Sequence, residues 1–327
     1  MTERQRIVVG VDVGATKVLA GYVDEAGRVL RQARAPMDRS SQAAALRSIE
    51  GALEALLSEP WEGPLPLAVG FGVVGQTDPA TPTWVRAMNI PISTPVDMTA
   101  RFTARYGLAA AVDNDVHAAT LAELRWGAGR GTREFIYLNV GTGIAAGLVC
   151  NGQLVRGAAN YAGELGHMAV AGEEIVCPCG RRGCLEPVAS GGGMIQRAYD
   201  LLPAYPGSAL GALPEGERLD AHAIFTYADA GDPLAQRIAA EAVEALGKAL
   251  VNLINLLNPE VIVVGGGVFA DGWLLPRLRA VVERDALAGA RGALKGIYLS
   301  ALQADLVGLL GAATLAWDRL LQRKEER

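Results

Sequence analysis

Cysteine is scarce in this chain, with four residues among 327, and three of the four fall between positions 177 and 184. That distribution excludes a disulfide-stapled secreted fold and points to a reducing compartment, the cytoplasm. A surplus of positive charge is also missing. The formal net charge is −5, and no Lys/Arg-rich run precedes the terminal RKEER, so the electrostatic footprint of a nucleic-acid binder is absent. Long apolar runs are lacking too. None is long enough to cross a bilayer, and the opening MTERQR has neither the apolar core nor the cleavage site of a signal peptide. What remains is a chain that is 50% hydrophobic and 20% charged, which suits a globular protein with a sizeable core and, by length, about two domains.

The clustered thiols carry the strongest chemical signal. Cys177, Cys179 and Cys184 are spaced C-x-C-x4-C, with His167 ten residues upstream. Three thiols and one imidazole complete a tetrahedral zinc set and leave no position for water, the mark of a structural rather than a hydrolytic site. Gly180 and Gly183 allow the loop to double back onto the same ion. Incidental thiols or a redox pair are the alternatives, but C-x-C with a nearby third cysteine makes a poor disulfide framework. Such a loop also fixes Glu164 and Glu186, two acids suited to accepting from the hydroxyls of a polyhydroxylated ligand. Solvated surface carboxylates are the plainer reading of the same pair. Cys150 closes an apolar run and is expected to be a buried core thiol.

Elsewhere the pattern alternates strands with Gly-containing turns. Strands are expected over 7–13, 18–23 and 28–33, with D-V-G-A-T-K (12–17) in the first turn. That turn presents backbone N–H groups, a hydroxyl, an ammonium and a carboxylate, which suits a metal-bound phosphate, although an ordinary β-turn explains it equally well. It is not a Walker loop, because the G-K-[ST] order is missing. A helix capped by Ser40 or Ser41 runs to about 58, and 67–74 is a buried strand. The loop GQTDPATPTWVRAMNIP follows, with Trp84 expected to pack rather than to stack on a ligand. A strand over 109–112 leads into Asp113-Asn114-Asp115 and a helix to about 126, so helix capping is one explanation of the triplet. His117 is expected to be an exposed or capping imidazole. The block LNVGTGIAAGLVCNGQLV repeats the layout of VDVGATKVLAGYVDEAGRVL, with Asn139 answering Asp12 and Gly141 answering Gly14, so a whole hairpin unit is duplicated. Helices over 191–202, 233–257 and from a cap at Asp305 to about 321 are expected, with a surface excursion over 203–216. Strands are expected over 261–264 and 297–302. Gly265-Gly266-Gly267 admits close approach of a flat ligand or phosphate.

The segments E-L-G-H and C-P-C-G-R-R-G-C-L-E resemble the signature of the ROK family of bacterial sugar kinases and sugar-responsive repressors. D-V-G-A-T-K resembles the D-x-G-G-T-K phosphate motif of the hexokinase/actin-like ATPases, with Ala15 in place of the second glycine. The resemblance implies an α/β fold of two actin-like (ribonuclease H-like) domains with a cleft between them. Residues 1–116 plus 305–327 would form the small domain, and 117–304 the large one bearing the zinc loop. It also implies an ATP-dependent hexose kinase, for glucose first, with N-acetylmannosamine, N-acetylglucosamine, fructose or allose as alternative acceptors. Asp115 would be the base, with Asp113 the nearest substitute. Asn89 (in a segment similar to the family's Asn-Leu-Pro), Asn114, Glu164, His167 and Glu186 would hold the sugar. Asp12, Gly14, Thr16, Lys17, Gly141, Thr142 and Gly143 would bind Mg²⁺ and the phosphates of ATP, and Gly265, Gly266 and Gly267 the adenosine. His167 can serve zinc with one nitrogen and sugar with the other. Val74 stands where the family has proline and His117 where it often has asparagine. A homodimer or homotetramer is implied. The family's regulators carry an N-terminal helix-turn-helix, for which the phosphate motif at Asp12 leaves no room, so a regulator ranks behind the kinase.

Overall fold

The computed structural model describes residues 5–87, 89–214 and 217–325. In chain order the strands and helices are β1 (Ile7–Val13), β2 (Lys17–Asp24), β3 (Val29–Pro36), α1 (Gln42–Ser58), β4 (Ala68–Val73), β5 (Gln76–Asp78), β6 (Thr83–Arg86), β7 (Val96–Asp97), α2 (Met98–Tyr106), β8 (Ala109–Asn114) and α3 (Asp115–Trp126). There follow β9 (Phe135–Val140), β10 (Ile144–Cys150), β11 (Gln153–Val155), α4 (Glu186–Ala189), α5 (Gly191–Leu201), α6 (Ala221–Asp229), α7 (Pro233–Leu257), β12 (Val261–Gly265), α8 (Leu274–Asp285), α9 (Ala288–Ala293), β13 (Gly296–Leu299) and α10 (Val307–Glu325).

The fold is mixed α/β with two five-stranded mixed sheets, ordered β3-β2-β1-β4-β8 and β11-β10-β9-β12-β13. The two orders are the same once each sheet is numbered from its own first strand, so the hairpin repeat read from sequence is a repeat of the whole sheet. Asp12 pairs with Gly72 across parallel β1 and β4, and Asn139 pairs with Gly265 across β9 and β12. The two turns differ by one residue. Gly14 N–H donates to the Lys17 carbonyl, whereas Gly141 N–H donates to that of Gly143.

The chain divides into two compact units. One comprises 1–130, 154–162 and 301–327, the other 131–153 and 163–300. This differs from the expected break after residue 116. Helix α3 packs with α10 in the first unit, and a strap over 154–162 returns to that unit through the hydrogen bonds described below.

In the first unit the sheet is covered on one face by α1 and α2, and on the other by α3 and α10. Ser41 caps α1 by accepting from Ala44 N–H, as its sequence suggested. Helix α10 sits unusually close to the sheet, because the positions facing it carry no side chains. A Cβ on Gly10 would lie 2.4 Å from the Leu309 carbonyl oxygen, and one on Gly70 would lie 1.9 Å from that of Ala312. The helix answers with Gly308, Gly311, Ala312 and Ala313. Trp84 is fully buried, with its indole N–H donating 3.0 Å to the Val74 carbonyl.

In the second unit α7 begins at Pro233 behind the Asp232 cap and stops at Asn258, which takes a left-handed conformation. Strand β13 ends at Leu299, three residues short of the expected 302. Cys150 is half-buried rather than in the core, because it is the last residue of β10. Among the described residues no helix is long and apolar enough to cross a membrane.

Candidate functional site

In the first unit, Asp12, Gly72 and Asp113 stand abreast on β1, β4 and β8. Beyond them the chain turns into α3, and Asn114 caps that helix. Its Oδ1 accepts from Val116 N–H at 2.9 Å and His117 N–H at 3.2 Å, while Nδ2 donates to the Gly75 carbonyl at 3.0 Å. Capping and ligand binding are therefore not exclusive here, since one amide hydrogen of Asn114 stays uncommitted in these contacts. Asp115 opens the helix, its Cα 3.8 Å from where Gly72 would carry a Cβ. Burial, reinforced by the neighbouring charge of Asp12, pushes Asp115 up to about 7. Burial likewise pushes Asp12 up to about 6, against the opposing pull of Lys17. Two recessed carboxylates, both raised by burial and one of them also by its neighbour's charge, form a site suited to a proton acceptor beside a cation.

Asp113 is the opposite case. It is buried, and although burial alone would raise it, the His117 hydrogen bond and the Arg156 charge outweigh that and hold it at about 2. An acid so heavily paired is a poor base, which removes it as a substitute for Asp115. His117 is a correction. It is 3% exposed, neither surface nor cap, with Nδ1 facing Asp113 and Nε2 facing the Ala162 carbonyl. Asn89 is exposed, next to buried Ile90.

The second unit carries the metal-ligand cluster. The ligand atoms of His167, Cys177, Cys179 and Cys184 all lie within 4.8 Å of one another. The Sγ atoms of Cys179 and Cys184 are 3.8 Å apart, and Cys177 Sγ is 3.8 Å from His167 Nδ1. A tetrahedral zinc ion with Zn–S bonds of about 2.3 Å has donor–donor edges of about 3.8 Å, so the set fits. Burial pushes the Cys184 thiol up to about 12 and raises Cys177 as well, so thiolates at neutral pH need a cation among them. The loop closes as its glycines suggested, with positive φ at Gly180 and Gly183 and bridges pairing Ala169 with Cys184 and Val176 with Arg182. His167 uses Nδ1 toward the thiols and turns Nε2 toward Glu164, 3.9 Å away. The sequence alone left open which nitrogen did which.

Glu186 accepts from Ile144 N–H at 2.9 Å, and a Cβ on Gly143 would lie 2.6 Å from its Oε2. The Gly141-Thr142-Gly143 turn is thus built around the Glu186 carboxylate. A cavity of about 670 Å³ adjoins Thr142, Glu186, Ser190 and Arg197. The glycines of 265–267 have different reasons. A Cβ on Gly265 would strike the Tyr137 hydroxyl at 2.6 Å, and one on Gly266 would strike the Val140 carbonyl oxygen at 2.3 Å, whereas Gly267 and Gly141 face open space. Only the last two lack a packing reason. The sequence reading missed Gly191 and Gly192, whose N–H groups donate to the carbonyls of Gly141 and Thr142. Their G-G-G run at a helix start was the available signal. It also missed Thr77, Arg156, Asn160 and Gly308, which belong to no motif.

The sequence profile of the ROK family matches residues 8–319. A glucokinase of Thermotoga maritima is 33% identical over 317 residues, which is 96% of this chain and 98% of that one. Among solved structures, a ROK family glucokinase from Streptomyces griseus in complex with glucose and AMPPNP is 32% identical. It superposes with a TM-score of 0.79 over 95% of this chain and 99% of that chain. The ROK hexokinase of Thermus thermophilus is 30% identical, with a TM-score of 0.77 over 97% and 99%. Motif, fold and match extend over nearly the whole length: this chain belongs to the ROK family.

Proposed function

We propose that this protein is an ATP-dependent hexose kinase that transfers the γ-phosphate of ATP to a hydroxyl of glucose, giving glucose 6-phosphate. The observation that carries this reading is Asp115. It is a carboxylate raised to about 7 at the start of α3, beside a second recessed carboxylate, Asp12. Phosphoryl transfer asks little covalent chemistry of the protein and much positioning and charge compensation. Asp115 accepts the hydroxyl proton as the sugar oxygen attacks. Its elevated pKa matches a base working near neutrality. Asn114 offers its uncommitted N–H to a neighbouring hydroxyl, while Glu186, Glu164, His167 Nε2 and Asn89 supply the remaining sugar contacts. Thr16, Lys17, Thr142 and the glycines at 14, 141 and 143 bind the phosphates, and the glycines at 265–267 receive the adenosine. Bound at Asp12, Mg²⁺ would neutralise phosphate charge and compensate the buried carboxyl.

Zinc in the Cys3His cluster is structural in this reading. Held by His167, Cys177, Cys179 and Cys184, it would tie down the loop segments next to Glu164 and Glu186. The glucokinases of T. maritima and S. griseus support glucose as acceptor, the latter through its glucose and AMPPNP complex. A cytoplasmic homodimer or homotetramer completes the proposal, checked by light scattering against the 34.2 kDa chain.

The test is an ADP-release assay on purified protein with MgATP and a panel of glucose, fructose, allose, N-acetylmannosamine and N-acetylglucosamine. Turnover of glucose at the highest kcat/KM supports the proposal. Preference for another sugar reassigns the acceptor. Silence across the panel sinks the kinase reading in favour of a sugar-binding regulator.

A further inference from the structure

Asp113 is a hub. Its Oδ1 accepts from Asn114 N–H at 2.8 Å, Asn160 Nδ2 at 3.0 Å and Thr77 Oγ1 at 3.3 Å, and faces His117 Nδ1 at 3.4 Å. Its Oδ2 takes Arg156 Nε at 3.0 Å and Nη2 at 2.7 Å. A carboxylate has about four lone-pair sites, so no capacity is left for a substrate. Arg156 and Asn160 both come from the strap over 154–162, and Asn160 is held in a left-handed conformation, φ 60°, that lets its Nδ2 also reach Thr77 at 2.8 Å. At the end of the strap, the Ala162 carbonyl meets His117 Nε2 at 3.1 Å.

The ring of His117 therefore faces an acceptor on each side. A carbonyl oxygen and a carboxylate oxygen can only accept, and a neutral imidazole has only one N–H to give. Both contacts are hydrogen bonds only when the ring is doubly protonated.

We infer that His117 is a positioning residue that works as an imidazolium, clamping the strap carbonyl of Ala162 to the Asp113 hub. The hub fixes the backbone N–H of Asn114, whose side chain has one free amide hydrogen, and so fixes Asp115 next to it. This rests on the roles proposed above for Asn114 and Asp115. The charged groups around the ring are Asp113 on β8, Arg156 on the strap and Asp115 on its own helix. Burial and Arg156 oppose the charged ring, but the hydrogen bond and charge of Asp113 prevail and raise its pKa.

The experiment has a spectroscopic and a kinetic arm. In full-length protein labelled with ¹⁵N-histidine, the chain's three histidines are resolved by long-range ¹H–¹⁵N correlation, with His117→Asn giving the assignment. Both ring nitrogens of His117 are expected to carry hydrogen at about pH 7, with titration above the ordinary value of about 6.5. A neutral single tautomer at that pH overturns the clamp. In the kinetic arm, His117→Asn is expected to lower kcat/KM for the sugar by about tenfold or more, through both kcat and KM, because it loosens base and sugar contacts together. Wild type is expected to lose activity at alkaline pH as the ring gives up its second proton, and the variant to lack that fall. A folded variant matching wild type within about twofold overturns the clamp and leaves the kinase reading standing. A wild type inactive on every sugar removes the kinase reading, and the spectrum still decides the protonation state.

Discussion

A Cβ on Gly308 would lie 2.5 Å from Cγ of Asp12 and within 2.7 Å of both its carboxylate oxygens. The first turn of the last helix and the end of the first strand thus meet at a single acid. That contact follows from the same glycine-for-close-approach packing that seats α10 on Gly10 and Gly70. Gly308→Ala is expected to turn Asp12 aside. Overpacking of this kind costs about 1–3 kcal/mol, modest enough for the fold to survive. The expected signature is a raised Mg²⁺ requirement and at least about a tenfold loss of kcat at saturating sugar, since misplacing a group by about 1 Å can cost ~10²-fold. Unchanged Mg²⁺ dependence in a folded variant would remove Asp12 from the metal site.

The strands, the duplicated hairpin and the ligand cluster were legible because each depends on local pattern. An apolar run with β-branched residues, a Gly turn and C-x-C-x4-C are visible within a dozen residues. What was hidden depends on tertiary register. Asp113 reads as one of three capping candidates until β8 is laid beside β4 and the strap brings in Arg156 and Asn160. His117 looked like a surface residue because nothing in its own helix tells that Ala162, 45 residues on, returns to cover it. Gly308 sits among other small residues of an apolar helix, and only the packing of α10 identifies its neighbour.

The Asp113 network predicts acid sensitivity of a definite sign. Its carboxyl lies at about 2 in the fold against 3.8 in the reference state. A depressed acid contributes stability that is complete above the unfolded value and is lost as pH falls through the folded one. The window is therefore between about pH 4 and pH 2, and the contribution is about 2 kcal/mol, by order of magnitude. Denaturant unfolding across that window is expected to show this slope in wild type and a flatter one in Asp113→Asn. Equal slopes would mean that the hub is not ionised in the fold.

The zinc cluster is best probed at its exposed ligand. Cys179 is exposed, whereas Cys177 and Cys184 are buried, so Cys179→Ser changes metal ligation with little change in packing. A structural zinc site can contribute ~10 kcal/mol of folding energy. Loss of the ion is expected to free the 167–184 loop, with protease cutting inside it and a severe rise in sugar KM as Glu164, His167 and Glu186 lose their common anchor. Elemental analysis should find one zinc per wild-type chain and none in the variant. Active wild-type protein without zinc would end this account.

In the proposed reaction Asp115 takes the proton and Glu186 holds the sugar, and substitutions at the two should separate those roles. Asp115→Asn keeps shape but cannot take a proton. A positioned general base contributes ~10²–10⁴-fold, so kcat is expected to fall by at least that much while sugar affinity changes little. Glu186→Gln keeps the Ile144 contact through its amide oxygen but loses a charged acceptor for hydroxyls, so KM should rise more than kcat falls. Stability supplies an independent check on Asp115. Its folded value of about 7 lies above the reference 3.8, so it favours the fold most below about pH 4, and that contribution is lost as pH rises through about 7. The neutral amide avoids the cost of ionising there, and Asp115→Asn should be the more stable protein above pH 7 in the absence of Mg²⁺. An inactive variant that is more stable than its parent is the pattern of a strained catalytic acid. If instead the variant retains more than about a tenth of wild-type kcat, below any general-base contribution in that range, the base lies elsewhere. Asp113, already saturated with donors, is not a candidate to replace it.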